Sequence, residues 1–217
     1  MGVDLQQRHI KCLIENVDLT GMVYVVTSAD GNICTEVERS LAERNATIVM
    51  GFRSQPKCQG IINKIRETTF KGTLEIGEPH DLSSKETIKK FAAGVISKYK
   101  TINGIINSAG LMAGVNHMTK DNLNLLLQVD MLGPALLTDL LLPVLRGPQK
   151  GQVVNVIAGI WMVNDLENGT IDDIVKVSTT MNDPISNFGV GKVSFAHHAF
   201  ELAKREKDVA TFAVNLN

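Results

Sequence analysis

Acidic hydroxyls are scarce in this chain: its 217 residues include two tyrosines, Tyr24 and Tyr99, and aromatic residues make up only 5%. Chemistry that needs a phenol therefore has two candidates at most. Cysteine is also sparse. Cys12, Cys34 and Cys58 are odd in number and lack metal-ligand spacing, which excludes a disulfide framework and points to reduced thiols in a cytoplasmic setting. No basic run exists, since 22 Lys and Arg balance 23 Asp and Glu to a net charge of −1, so nucleic acid and acidic membrane surfaces are not expected partners. Met1 to Thr20 is polar and mixed, without the apolar centre of a signal peptide. The longest apolar stretch, Leu123 to Leu145, is broken by Gln128, Asp130, Gly133, Pro134 and Asp139, and reads as a buried helix rather than an integral membrane segment.

What remains is an ordinary globular composition, 44% hydrophobic and 21% charged, in a length suited to one domain spanning 1–217. Short apolar runs alternate with stretches of helical period. Strands are expected at 22–27, 46–52, 72–76, 102–107, 152–158 and 209–214, with helices at 33–44, 57–68, 84–99, 121–146 and 184–204. Runs such as Val23-Tyr-Val-Val26 and Val153-Val-Asn-Val-Ile157 are mostly apolar along their whole length. Continuous apolar strands separated by helices signal a parallel sheet covered on both faces, hence an α/β fold of the doubly wound, Rossmann type with six strands. Residues 1–20 form an N-terminal extension, and 159–184 an irregular, polar loop long enough to serve as a lid.

Four segments carry the chemistry. Thr27-Ser-Ala-Asp-Gly-Asn-Ile-Cys34 follows the first strand, Asn107-Ser-Ala-Gly110 the fourth, Asn155-Val-Ile-Ala158 closes the fifth, and Phe188-Gly-Val-Gly-Lys192 lies in the last helix. In this order they resemble the short-chain dehydrogenase/reductase family, and Val17-Asp-Leu-Thr-Gly-Met-Val-Tyr-Val-Val-Thr27 looks most like its retinol-dehydrogenase-like branch. The resemblance implies a dinucleotide, NADP, held by Thr27, Ser28, Asp30, Asn32, Ile33, Arg53, Asp81, Asn107, Ala109, Gly110 and Lys192. Arg53 stands where NADP-preferring members place a base for the 2′-phosphate, and Asp81 where the family contacts adenine. Read on their own residues, the first is equally an arginine at a strand end and the second a turn aspartate.

The departures matter more than the match. The three glycines of the family's dinucleotide loop fall on Ser28, Asn32 and Cys34, with Gly31 alone nearby, so a weakened nucleotide site is expected. The catalytic tyrosine falls on Phe188 and the catalytic serine on Ala158, leaving Lys192 as the retained member. The family's asparagine on the long helix falls on Asp130, where it either pairs with Lys192 or serves as a hydrogen-bonded aspartate near Pro134. The family's Pro-Gly turn, lid helices and seventh strand have no counterpart after Val214-Asn-Leu-Asn217, so an open site and a bare strand edge at 209–214 are expected.

Two readings follow. One is an inactive relative that keeps NADP(H) binding or pairs, as homodimer or with a full-length relative, through helices 121–146 and 184–204. The other is an active NADP-dependent oxidoreductase of alcohols or carbonyls, retinoid- or steroid-like, using an atypical acid. Ser178, Thr179 and Thr180 in the loop are poor substitutes for a phenol. No metal site is expected, because the adjacent His197 and His198 point to different helix faces.

Overall fold

The computed structural model describes residues 16–112, 117–147, 149–158, 170, 172–174, 176 and 184–215. Among them, six parallel strands form one sheet: β1 (Val23–Thr27), β2 (Thr47–Gly51), β3 (Thr73–Ile76), β4 (Gly104–Asn107), β5 (Gly151–Ile157) and β6 (Val209–Asn215). Their spatial order is β3-β2-β1-β4-β5-β6, the doubly wound arrangement expected from the apolar strands. Chain order reverses between β1 and β4, and ligands of such sheets bind at that crevice, beyond the carboxyl ends of the strands.

Five longer helices cover the faces: α1 (Asn32–Ala42), α2 (Gln55–Arg66), α3 (Lys85–Lys98), α4 (Leu125–Leu145) and α5 (Pro184–Arg205). On one face α1 and α2 bury Cys34, Ala42 and Cys58 against Val26, Ile48 and Met50. On the other, α3, α4 and α5 bury Phe91, Leu137, Leu141 and Leu202 against Val25, Ile105 and Val153. Each such side chain contributes about 1.5–3 kcal/mol by leaving water. Alternation along the last two strands turns Val153 and Val209 into this second core, while Val154 and Phe212, paired in register, face the opposite way. Phe212 and Val214 are exposed there.

Helix α4 is long and apolar enough to cross a bilayer, but 67% of its apolar window is buried in the fold, as a core helix requires. It starts at Leu125, not at the expected 121. The Asn124 side chain accepts from the amides of Leu126 and Leu127, and Asn122 has a left-handed φ of 60° that interrupts any earlier turn. Asp121 serves another helix: its carboxylate accepts the Lys85 amide at 2.7 Å, capping α3, where Ser84 makes no side-chain cap. Within α4, Gln128–Leu132 forms a π turn before the regular helix resumes at Gly133. Such turns insert a residue and re-aim the side chains they carry.

Of the expected loop 159–184, Ile174 packs with Leu127 and Val190. Ser178, Thr179 and Thr180 lie outside the described residues, as do Cys12 and most of the N-terminal extension.

Candidate functional site

The crevice above β1 and β4 is one cleft with two ends. At the β1–β3 end a small cavity of about 40 Å³ is lined by Ser28, Asp30, Arg53, Asp81, Ala109 and Gly110, six of the residues named from the motifs. Ser28 holds the turn after β1 in a left-handed conformation, φ 58°, which a glycine adopts freely and a serine only at a cost of about 1–2 kcal/mol. The turn thus keeps a glycine's backbone without the glycine. Gly31 precedes α1 in extended conformation, and a Cβ there would lie 3.1 Å from the Ser28 carbonyl. Asn32 and Ile33 are exposed in the first turn of α1, and Ile33 borders the other end of the cleft.

Cys34 occupies the close-packing position between α1 and β1. It is 1% exposed, its thiol donates to the Thr27 carbonyl at 3.2 Å, and burial pushes its pKa up to about 12, so it is an inert packing residue. Thr27 is fully buried and braces the floor. Its hydroxyl donates to the Ile106 carbonyl and accepts from the Ser108 amide at 3.1 Å, joining the loops after β1 and β4. Asn107 is likewise internal, donating to Thr138 Oγ1 at 3.0 Å and Asn155 Oδ1 at 2.9 Å. Both residues shape the cleft from beneath.

Asp81 does two things at once. It borders the cavity, and its Oδ1 accepts from the Ser83 amide and hydroxyl, fixing the turn into α3. Arg53 is exposed at the rim. Beside them stands His80, which the motifs did not single out. It is 3% exposed, stacks on Phe91 at 4.5 Å, and neither ring nitrogen has a partner among the described residues. Burial holds its pKa down at about 4, so the ring is neutral and able to donate and accept. The only signal in the sequence is its place just before Asp81. Behind α1, Glu38 is fully buried with both oxygens unpartnered among the described residues. Burial first, then Asp30, pushes its pKa up to about 9.

The other end of the cleft is lined by Ile33, Ser108, Met112, Val156, Ala158, Phe188 and Lys192, with Ser28 and Gly110 common to both ends. The topology therefore brings together Ala158 from the end of β5 and Phe188 and Lys192 from α5. Lys192 is 4% exposed. Its ammonium donates to the Ala109 carbonyl at 2.6 Å and to the Val156 carbonyl at 3.4 Å, and lies 3.9 Å from Asp130 Oδ1. The Phe188 ring centre is 5.7 Å from it. Asp130, in the π turn, is fully buried. Its Oδ1 also accepts the Leu111 amide at 2.8 Å, and burial pushes its pKa up to about 7 against the pull of Lys192. Burial lowers Lys192 in turn, with Asp130 opposing. Of the two roles open to Asp130, the geometry supplies the pairing with Lys192. Tyr24, in β1, borders neither end of the cleft; Tyr99, beyond α3, donates to Glu75 at 2.6 Å. Among the described residues no group of three or more His, Cys, Asp or Glu is placed to hold a metal ion.

The family model described as short chain dehydrogenase matches residues 22–164, about two thirds of the chain. The chain belongs to the short-chain dehydrogenase family. Within this family, retinol dehydrogenase 12 of Homo sapiens is 36% identical over 141 residues, covering 65% of this chain and 44% of its own length. Retinol dehydrogenase 11 of Homo sapiens is 34% identical over 140 residues, again with 44% of its length covered. The chain thus spans less than half the length of these curated relatives. Among solved structures, a protein from Mycobacterium Paratuberculosis shares the fold with a TM-score of 0.71 at 25% identity, covering 87% of this chain and 64% of that one. A metagenomic short-chain oxidoreductase in complex with NADP does so at 0.67 and 22% identity, covering 92% and 82%.

The residues present fit an NADP molecule unequally. At the β1–β3 end an exposed guanidinium and a carboxylate border a cavity, a pair of groups suited to a phosphorylated adenosine. At the β4–β5 end the wall carries a benzene ring and a methyl group, and its one lining cation is already bonded inside the protein.

Proposed function

We propose that this chain is a catalytically silent member of the short-chain dehydrogenase family that keeps a surface for NADP(H). One observation carries the reading: the wall around Lys192 offers a substrate oxygen no phenol. Phe188 lacks a titratable proton, and Ala158 cannot steady charge on that oxygen. The hydroxyls bordering that end among the described residues, Ser28 and Ser108, are aliphatic alcohols and far poorer acids than a phenol. Losing a positioned general acid costs on the order of 10²–10⁴ in rate, and losing an oxyanion donor roughly a further 10²–10³.

NADP(H), when bound, would supply or accept the hydride; Arg53 would meet the 2′-phosphate, Asp81 the adenine, and the first turn of α1 the pyrophosphate through its free amides. Titration of the purified chain with NADPH, followed by fluorescence, alongside turnover assays on ketones and aldehydes, tests this. Saturable binding without NADPH consumption is expected. Steady consumption at about 1 per second, an ordinary enzyme rate, would overturn it.

The alternative, an active NADP-dependent oxidoreductase of retinoid- or steroid-like alcohols and carbonyls, draws on Asp130, whose pKa near 7 suits a general acid. Its carboxyl is fully buried behind Lys192 and borders neither end of the cleft. A role in pairing, with a second copy or a full-length relative through α4 and α5, is favoured by Phe200, 64% exposed on α5. A light-scattering mass of one chain across micromolar concentrations would remove the homodimer.

A further inference from the structure

The two ends of the cleft differ in what their charged groups have left to give. Arg53 reaches the β1–β3 cavity as an exposed guanidinium. Lys192 faces the other end, yet it is 4% exposed and its head is enclosed. An ammonium has three hydrogens to donate. Here two carbonyls accept from it, Ala109 at 2.6 Å and Val156 at 3.4 Å, and the Asp130 carboxyl faces it as an ion pair at 3.9 Å. The Gly110 backbone passes beside it: a Cβ at that position would lie 3.2 Å from the nitrogen. A fully buried carboxyl facing a buried ammonium also satisfies its charge, whereas an asparagine at 130 would leave the cation seeking an outside partner. Around this cation the wall mixes apolar side chains, Ile33 and Met112 exposed beside Phe188 and Ala158, with the hydroxyls of Ser28 and Ser108.

We propose that the cleft recognises only the adenosine 2′-phosphate half of NADP(H), because Asp130 and two backbone carbonyls have taken up the Lys192 ammonium at the other end. The inference rests on the nucleotide-binding reading above. Asp130 is thereby a specificity-determining residue: its carboxyl turns Lys192 from a ligand-holding group into an internal ion.

Calorimetric titration of the chain with NADPH, adenosine 2′,5′-bisphosphate and reduced nicotinamide mononucleotide tests it. NADPH and the bisphosphate are expected to bind within about threefold of one another, and the mononucleotide not to compete. NADPH binding tenfold or more tightly than the bisphosphate overturns the inference while leaving nucleotide binding intact. Absence of binding by both NADPH and the bisphosphate overturns the nucleotide-binding reading itself. The substitution Asp130→Asn keeps the shape and the acceptor for the Leu111 amide. It is expected to raise the affinity for NADPH over that for the bisphosphate by about threefold or more, through Lys192 alone. An unchanged ratio removes Asp130 as the captor.

Discussion

The cleft's β1–β3 end and its β4–β5 end are built on the same sheet, a few strands apart, and have been altered to different degrees. At the first end Ser28 holds φ at 58° in the turn after β1, and Arg53, Asp81 and His80 border one cavity. At the second end the backbone is equally regular, and Phe188 and Ala158 line the wall with a benzene ring and a methyl group; on the proposed reading a reacting oxygen there lacks a proton donor. The contrast reflects what each task demands. Binding sums several modest contacts and survives the loss of one, whereas proton transfer needs one atom at one place. A phenylalanine differs from a tyrosine by a single oxygen, and that oxygen is the chemistry.

The boldest way to break this contrast is to rebuild the second end. Phe188→Tyr with Ala158→Ser and Asp130→Asn should raise NADPH-dependent reduction of a carbonyl panel by about 10²-fold or more over the parent. The same triple variant assayed with Asp130 restored should fall back, because a captured Lys192 cannot lower a phenol's pKa. Equal rates with and without Asp130→Asn would show that the pairing is irrelevant to chemistry.

The next largest effect belongs to α1, the helix that leads away from the first end. Glu38 has a folded pKa of about 9 against an unfolded value near 4.5, so the unfolded chain releases its proton first as pH rises. Stability from this group is therefore complete below about pH 4.5 and is lost progressively towards pH 9. Glu38→Gln should match the parent at pH 4 and exceed it by about 2–4 kcal/mol at pH 8 in urea unfolding. A constant difference across that range would mean the carboxyl is already ionised in the fold.

Arg53→Ala sharpens the comparison further. If the guanidinium meets the 2′-phosphate, NADPH should weaken about tenfold or more while NADH changes little. Parallel losses for both would assign Arg53 to general electrostatics. Smallest is Ser28→Gly, which relieves the left-handed serine. It should stabilise the fold by up to about 1 kcal/mol, net of the glycine's greater unfolded freedom, and tighten NADPH modestly. A loss of stability would mean the serine hydroxyl contributes more than its backbone costs.

Much of this was legible from residues alone, and the reasons differ by element. Apolar runs such as Val153 to Ile157 could belong only to strands buried on both faces, so the parallel sheet was readable before its register. The substituted positions were readable because each sits inside a local motif. The start of α4 was not, because the acidic residue at its expected origin, Asp121, caps α3 instead, a contact spanning 36 residues. His80 and Glu38 were invisible for the same kind of reason. Nothing local distinguishes a surface glutamate from one with zero exposure, and only the packed helix decides. The Asp130 pairing was foreseen as one of two roles, but the carbonyls that complete it belong to loops after β4 and within β5.

The π turn at Gln128–Leu132 has a bearing on which sequences the fold could tolerate. It adds a residue to α4, and each residue rotates a helix by about 100°. Deleting one position there would close the wide turn into uniform winding and take from Asp130 and its neighbours the placement that the extra residue gives them. Insertions and deletions should therefore be rarer in these five residues than in the helix's later turns, whatever happens to the chemistry above them.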